Sequence, residues 1–449
     1  MTKFAKFGAV CALALSVAGL SLPALAQTVA ITGGKVYTQG SAGVLDNGTV
    51  LIRDGKIAAV GANVAVPAGA KVIDAKGKIV TPGLISAESG LGAIEVSSLG
   101  SELAVRNEGL SAAYDVSYGL DPHSFVIPAA RLGGLTRAIV IPTPTGGAGA
   151  HAHEHDTAGA DSADHAEPGL FGGQAAIIHL GGAEGFVMKS KAAMSVDLGA
   201  AGARHAGGAR GATFVALATM LDDVRHYARN KARYAAGEGR DLGMSRADLE
   251  ALIPVVEGRM PVVVNVRRAS DIQQALRFAR EQKLRIILNE ADEAWMVASD
   301  IAAAKVPVML NPLSNLPDSF ESRAARLDNA AKLHAAGVMV ILKGNEGNIH
   351  RAREARYNAG NAVANGLPYG AALDGLTLNP AKAFGVADRI GSLDIGKDAD
   401  VVVWDGDPFE PMTQPVAVLI NGKEQSLMSR GRALADRYKV TGDMPPAYR

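Results

Sequence analysis

The middle of the chain alternates short apolar runs with stretches of helical periodicity. Eight of these runs have the length of buried strands, and they lie at residues 79–85, 138–142, 175–180, 193–198, 261–266, 285–288, 306–310 and 338–342. Strands that alternate with helices form parallel sheets, and eight such units are what a TIM-like barrel contains. The pattern therefore predicts an α/β fold with a (β/α)8 barrel.

One connecting helix shows both its start and its buried face in the sequence. Residues 270–273, Ser-Asp-Ile-Gln, match a capping box. The apolar residues around this start have the spacing of one helix face: Ile272, Ala275, Leu276 and Ala279. We expect this face to pack on the barrel.

Both ends of the chain carry short strand-like runs. Asn-Gly and Asp-Gly dipeptides separate these runs and supply the positive-φ positions of tight turns. We predict a small composite β-sandwich formed by both termini, from residues 27–80 and 386–449, around a barrel at 81–385. Residues 147–170 interrupt the barrel pattern with a Gly-, Ala-, Asp- and His-rich sequence, which is typical of an inserted loop.

The charges of the chain balance, with 45 Lys+Arg against 45 Asp+Glu. Binders of nucleic acids and anionic membranes normally carry a basic surface, so this balance argues against both partners. The expected partner is therefore a small-molecule substrate or ligand, and the sequence is also compatible with a homo-oligomer.

The N-terminus has the pattern of a cleavable secretory signal. Lys3 and Lys6 precede an apolar run, and residues 24–26, Ala-Leu-Ala, form a cleavage site. A membrane anchor is the alternative, because the run is nearly long enough to span a bilayer. Removal of residues 1–26 would also remove Cys11, the single cysteine, which excludes disulfides from the mature chain. We expect an exported, periplasmic protein that is free of the membrane after signal cleavage.

Three segments resemble the metal-dependent amidohydrolase superfamily, and its imidazolonepropionase-like branch most. They are residues 72–85, which end in Val-Thr-Pro-Gly-Leu-Ile, residues 376–382, Leu-Thr-Leu-Asn-Pro-Ala-Lys, and residues 389–404. The resemblance implies a TIM-like barrel with a composite β-sandwich, which agrees with the pattern above. It also implies hydrolysis of non-peptide C–N bonds, such as those of cyclic amides or amidines, with a divalent metal such as zinc.

The positions that bind metal in active members of this family carry other residues here. The resemblance places the two histidines of the first strand at Glu88 and Gly90, and the later histidines at Asn265 and Asn289. The last expected ligand, an aspartate that is also the general base, falls on Asn345. A slip of one residue would place Glu290 at the position of Asn289, and Glu346 is adjacent to Asn345.

These substitutions leave several hypotheses open. An asparagine cannot act as a base, and its amide is a weak neutral ligand. The first hypothesis is that the standard metal site is lost. The second is a modified single-metal site that uses Glu88, Glu290 or Glu346, and the third is that the alignment with the family is shifted. The catalytic candidates are Glu88, Glu290, Glu346 and Lys343. Two functions follow: an exported hydrolase with an atypical metal site, or an inactive barrel that binds a small molecule or acts as a scaffold.

The charged residues at the predicted strand ends also have two interpretations. Glu88, Lys343 and Arg267 would line a substrate-binding mouth, because a barrel places its ligand site at the C-terminal ends of its strands. The alternative is a structural salt bridge between Glu88 and Lys343. We also predict a helix at the rim of the mouth that contains Arg351, Arg353 and Arg356. This helix either holds an anion or faces solvent.

The inserted loop contains four of the ten histidines, set among carboxylates: His151, His153, His155 and His165. Imidazoles at alternate positions bind divalent metals. The loop is therefore either an adventitious or buffering metal site or a solvated insertion, with a catalytic site as the third alternative.

Overall fold

A computed structural model describes residues 28–95, 102–105, 110–143, 170–317, 319–344 and 349–439. The strands are β1 Val29–Tyr37, β2 Val44–Arg53, β3 Lys56–Gly61, β4 Lys71–Asp74, β5 Ile79–Pro82, β6 Leu84–Ser89, β7 Leu135–Val140, β8 Phe171–Gln174, β9 Ala176–His179, β10 Val187–Lys189, β11 Met194–Asp197, β12 Val262–Val266, β13 Ile286–Glu290, β14 Val308–Leu310, β15 Val340–Leu342, β16 Val401–Trp404, β17 Pro415–Ile420 and β18 Lys423–Glu424. The helices are α1 Val126–Arg131, α2 Ala200–His205, α3 Arg210–Arg229, α4 Lys231–Ala235, α5 Arg246–Val256, α6 Ala269–Gln282, α7 Ala298–Ala304, α8 Asn329–Ala335, α9 Ala355–Ala364, α10 Tyr369–Leu376, α11 Leu378–Ala383 and α12 Arg430–Tyr438. None of the described helices is long and apolar enough to cross a membrane.

Both ends of the chain form one eight-stranded sheet. Its order is β18-β17-β16-β5-β1-β2-β3, and β4 pairs with β1 beside β5. The dipeptides Asp54-Gly55 and Asn421-Gly422 form turns with positive φ, as predicted. Asn47 also has a positive φ, of 54°, but Asn47-Gly48 forms no turn: it lies inside β2, where the pairing with β1 is irregular near Gly34. The β-rich domain is thus composite, as the sequence indicates.

The barrel strands lie in two further sheets. One has the order β10-β9-β7-β6 and the other β15-β14-β13-β12-β11-β8. The backbone of Ala175, between β8 and β9, joins them through hydrogen bonds with Ala192 and Ala193. The fold is the TIM-like barrel that the apolar pattern predicts.

Two details of the barrel differ from the prediction. The apolar pattern predicts a parallel strand at 175–180, but β9 is antiparallel to β7, and β8 is antiparallel to β11. The run at 79–85 is two strands, because the chain passes from the terminal sheet into the barrel at Gly83. A Cβ there would lie 2.1 Å from the Thr136 hydroxyl oxygen, so only glycine fits this crossing.

Helix α6 buries the predicted face but starts differently. Ile272, Ala275 and Ala279 are buried, and Leu276 packs against the same core. The predicted capping box at 270–273 is wrong, because the helix begins at Ala269 and Arg268 is its N-cap. The carboxylate of Glu293 accepts the hydrogen bond of the Ala269 amide at 3.0 Å, so a residue from a neighbouring loop does the capping.

The edge between β15 and β6 is covered by helices. No backbone hydrogen bond joins these two strands in the described part of the chain, and α10 and α11 contact both of them. The Asn379 side chain donates a hydrogen bond of 2.8 Å to the Val340 carbonyl of β15. The Leu-Thr-Leu-Asn-Pro segment therefore satisfies a backbone acceptor at this edge.

A buried ion cluster joins the barrel to the terminal sheet. The Arg137 guanidinium of β7 binds both carboxylate oxygens of Asp400, at 2.5 and 3.1 Å, and the side-chain oxygen of Asn421 at 2.6 Å. Burial opposes the ionisation of Asp398 next to it, but Lys56, Arg137 and Arg389 hold its pKa below the ordinary value. The two aspartates of the 389–404 motif thus fix the position of one domain on the other.

The arginines after the last barrel strand do not act as one rim. Arg356 lies in α9 and is buried, and its guanidinium donates to the carbonyls of Pro408, Glu410 and Thr413. For this residue both predicted roles are wrong, because it fixes the loop between β16 and β17. Arg351 and Arg353 lie before α9 and are exposed.

Candidate active site at the barrel mouth

Polar side chains follow the apolar interior of the barrel at the ends of its strands. Val263 and Ile287 point into the barrel, so the residues two positions later, Asn265 and Asn289, point the same way. Asn289 pairs in register with Asn265, and Asn265 with Asp197 of β11. The mouth therefore carries a level row of polar side chains on three neighbouring strands.

Glu88 reaches this row from the end of β6. The pairing of β6 with β7 is irregular between Ser86 and Ser89, and Glu88 lies in this irregularity. The Asn289 amide nitrogen donates to both carboxylate oxygens of Glu88, at 3.1 and 3.2 Å, and to Asn265 Oδ1 at 2.8 Å. Three of the positions that the resemblance assigned to metal ligands thus meet in one place.

Lys343 connects Glu88 to a chain of alternating charges. Its Nζ lies 2.5 Å from Glu88 Oε2 and 2.8 Å from Glu290 Oε1. The other oxygen of Glu290 lies 3.1 Å from Arg267, whose guanidinium is also 3.0 Å from Asp292. The predicted ion pair between Glu88 and Lys343 is present, and it belongs to a network of five charged side chains.

The backbone beside this network has an unusual conformation. Glu290 and Ala291 have φ angles of 71° and 48°, in the left-handed region that residues other than glycine rarely adopt. The Asn329 amide donates to the carbonyls of Ala291 and Asp292, at 3.0 and 3.3 Å, and the Ala291 amide donates to Val266. These bonds hold the strained turn that directs Glu290 towards Lys343.

Two carboxyl groups at the mouth have raised pKa values. Burial raises the pKa of Asp292, against the opposing effects of the Ser314 hydroxyl and Arg267. Burial also raises the pKa of Asp197, while the amides of Gly202 and Gly199 donate to its Oδ1 and lower it. Both groups are therefore easier to protonate than an ordinary aspartate.

Asp197 was missed by the sequence reasoning, although its strand was predicted. The signal was present in the alternation of Ala193, Ser195 and Asp197, which places the aspartate on the interior face at the end of β11. Asn311 was missed as well. It follows Met309 at the same spacing after β14, and its side-chain oxygen is 3.3 Å from the Asn358 amide.

Gly90, one of the positions that the resemblance assigned to a metal ligand, does not contribute to this cluster. Gly90 is buried in a turn after β6, where its carbonyl accepts from the amides of Ala93 and Ile94. Other candidates lie outside the described residues: Asn345, Glu346, His151, His153, His155 and His165. Their roles stay predictions.

The side chains at the described mouth do not fit the pair of metal ions that the family resemblance implies. A carboxylate only accepts hydrogen bonds, so the nitrogen of Asn289, not its oxygen, must face Glu88. The ammonium of Lys343 lies between the carboxylates of Glu88 and Glu290, where a divalent cation would meet a like charge. The described residues contain no group of three or more His, Cys, Asp or Glu side chains that could hold a metal ion.

Comparison with known proteins decides the family. Residues 274–434 match the model of the Amidohydrolase family. The structure of an amidohydrolase from Thermotoga maritima MSB8 superposes with a TM-score of 0.75 at 26% sequence identity, over 89% of this chain and 99% of that one. The chain belongs to the amidohydrolase superfamily. The structure of molinate hydrolase, with a TM-score of 0.54 and 18% identity over 94% of this chain and 99% of its own, agrees in fold alone.

Curated amidohydrolases match shorter segments. The amidohydrolase tasK of Hapsidospora irregularis is 42% identical over 86 residues, which are 18% of this chain and 9% of that protein. The imidazolonepropionase of Shewanella baltica is 62% identical over 34 residues, or 8% of each protein. The chain thus aligns with less than a tenth of the length of either relative. Together with the family model and the structural likeness, these matches confirm the predicted imidazolonepropionase-like branch of the amidohydrolases.

Proposed function

We propose that this amidohydrolase-family hydrolase is exported and acts on non-peptide C–N bonds, of the cyclic amide or amidine type, at an atypical site. The observation that carries the proposal is the network around Lys343, which stands where the family's metal ligands are expected. The substrate class comes from the family, and the site residues come from the geometry.

The exposure of the network supports a ligand rich in N–H groups. Lys343 is 0% exposed, whereas Glu88 is 11% and Glu290 23% exposed. An entering molecule therefore meets carboxylate oxygens, which accept hydrogen bonds from the N–H groups of amides and amidines. Asn289 Oδ1 is buried without a hydrogen-bond partner among the described residues.

The same side chains can divide the work of hydrolysis. Addition of water to the carbonyl-type carbon requires a base to take the water proton, and a cation stabilises the oxygen that becomes negative. In the proposed site, Glu88 or Glu290 takes the proton. The Lys343 ammonium, which is fully buried before the ligand enters, turns towards the oxyanion and stabilises it. The C–N bond then breaks, and the leaving nitrogen receives the proton.

A panel of cyclic amides and amidines tests this function. We expect turnover that persists with a chelator and falls sharply in Glu88→Gln and Lys343→Met. Glu424→Gln is the matched control, because it removes a carboxylate that pairs with Lys71 far along the terminal sheet. Turnover that disappears with chelator and returns with zinc would contradict the proposed site.

A second candidate is a barrel that binds its ligand without catalysis. It is favoured by one observation: both carboxylates that could serve as the base are already paired with Lys343, and Glu290 also with Arg267. Calorimetric titration with the same panel separates the candidates. Tight binding without turnover supports the second, and turnover supports the first.

Export is supported by the residues at the N-terminus. We propose that cleavage follows Ala26, so that the mature chain begins at Gln27 in the periplasm. Sequencing of the mature N-terminus from a periplasmic fraction tests this. Recovery of an uncleaved chain in the membrane fraction would favour an anchor.

A further inference from the structure

A single buried ammonium lies between two carboxylates at the centre of the mouth. The Nζ atom of Lys343 is 2.5 Å from an oxygen of Glu88 and 2.8 Å from an oxygen of Glu290. The two glutamates come from β6 and β13, which lie in different sheets of the barrel. The position of the ammonium is thus the point where the carboxylates of two separate strands converge.

Two carboxylates at such a point need a cation. Ionised groups held close together in a partly buried place repel each other, and either a bound cation or a protein cation must balance them. A divalent ion would bind these oxygens at about 2.0–2.2 Å, so it would fit at the same point after the carboxylates move by about half an ångström. The ammonium satisfies the same two groups with its own donors.

The rest of the network is arranged for an ammonium rather than a metal ion. Asn289 directs its amide nitrogen towards Glu88, although a metal ligand would present its oxygen. The strained turn at Glu290 and Ala291 brings the Glu290 carboxylate to Lys343 and Arg267 together. Conformational strain of this kind persists only where neighbouring contacts maintain it.

We propose that Lys343 is the resident cation of this barrel, and that its ammonium occupies the place of a divalent metal ion between Glu88 and Glu290. The inference concerns charge balance without substrate, so it holds for either proposed function and fails independently of them.

The experiment removes the ammonium and supplies zinc. All variants are made in the full chain with His151, His153, His155 and His165 changed to Ala, so that the imidazoles of the inserted loop do not bind the metal. The variants are the parent, Lys343→Ala, and Lys343→Ala combined with Glu88→Gln. Zinc content after gel filtration and the thermal midpoint are measured with zinc and with chelator.

The parent is expected to keep no stoichiometric zinc and to show the same thermal midpoint under both conditions. Lys343→Ala is expected to bind one zinc per chain, and its midpoint should rise by about 5 °C at a hundredfold excess of zinc over Kd. Adding Glu88→Gln should abolish both effects. If Lys343→Ala folds only with zinc, that result supports the proposal as well.

Two results would overturn the proposal. One is a parent protein that holds stoichiometric zinc and loses it on Glu88→Gln. The other is a Lys343→Ala variant whose folding and midpoint do not respond to zinc, whether because it binds no metal or because it stays unfolded.

Discussion

Replacement of Lys343 by Met tests whether the mouth network is an energetic unit. The methionine keeps most of the volume but removes the charge, so Glu88 loses its cation while Glu290 retains Arg267. Removal of one partner from a buried ion pair typically costs about 3–5 kcal/mol. Because Glu88 and Glu290 are 11% and 23% exposed, we expect the lower end, about 3 kcal/mol.

A double-mutant cycle with Glu88→Gln isolates the pair. The variant that carries both changes leaves no unpaired charge at Glu88, so it should be more stable than Lys343→Met alone, with a coupling energy of about 1–3 kcal/mol. Urea unfolding, followed by tryptophan fluorescence, gives the free energies. The exposed pair of Lys71 and Glu424 is the control, and its removal should change stability by less than about 1 kcal/mol. Equal effects at the two pairs would refute the reasoning.

Three further changes test other parts of the account. Burial, together with the charge of Arg137, lowers the pKa of His179 below its ordinary 6.5, so unfolding takes up a proton. The neutral His179 should therefore contribute its full stability above pH 6.5 and lose it as the pH falls. In urea unfolding measured at several pH values, the free energy of unfolding should depend less on pH in His179→Gln; an unchanged pH dependence would contradict this. Lys283 is the C-cap of α6 and has a φ of 58°, a left-handed conformation that glycine adopts more easily. Lys283→Gly should therefore raise the unfolding free energy by about 0.5–1 kcal/mol, and a loss of stability would count against it. Arg356→Lys should lower it by about 2 kcal/mol in the same assay, because the guanidinium bonds to three carbonyls are lost; a change below 0.5 kcal/mol would disprove that role.

The local pattern of the sequence predicts most of the barrel because burial imposes it. Interior residues such as Val263, Ile287 and Ile341 recur at strand spacing, and the polar residue two positions later marks the mouth. The sequence contains no comparable pattern that shows whether a strand runs parallel or antiparallel to its neighbour. The run at 175–180 is apolar in either orientation, so its antiparallel pairing follows from the path of the chain and not from its periodicity.

Several members of the site and one of its contacts, the ion pair between Glu88 and Lys343, were predicted from the sequence, but the other contacts were not. The resemblance identified Glu88, Asn265 and Asn289 by position, while the strained turn that directs Glu290 depends on hydrogen bonds from Asn329, which lies 38 residues after Ala291. Such bonds join distant segments and leave no local pattern. The burial of Arg356 has the same cause, since its partners lie in the loop between β16 and β17.

Anomalous diffraction from crystals of the mature chain, grown with zinc and measured at the zinc absorption edge, tests the central claim most directly. The account predicts electron density for the Lys343 side chain between Glu88 and Glu290 and no anomalous peak at that point. An anomalous peak bonded to the Glu88 carboxylate at about 2 Å, with Lys343 turned away, would contradict it.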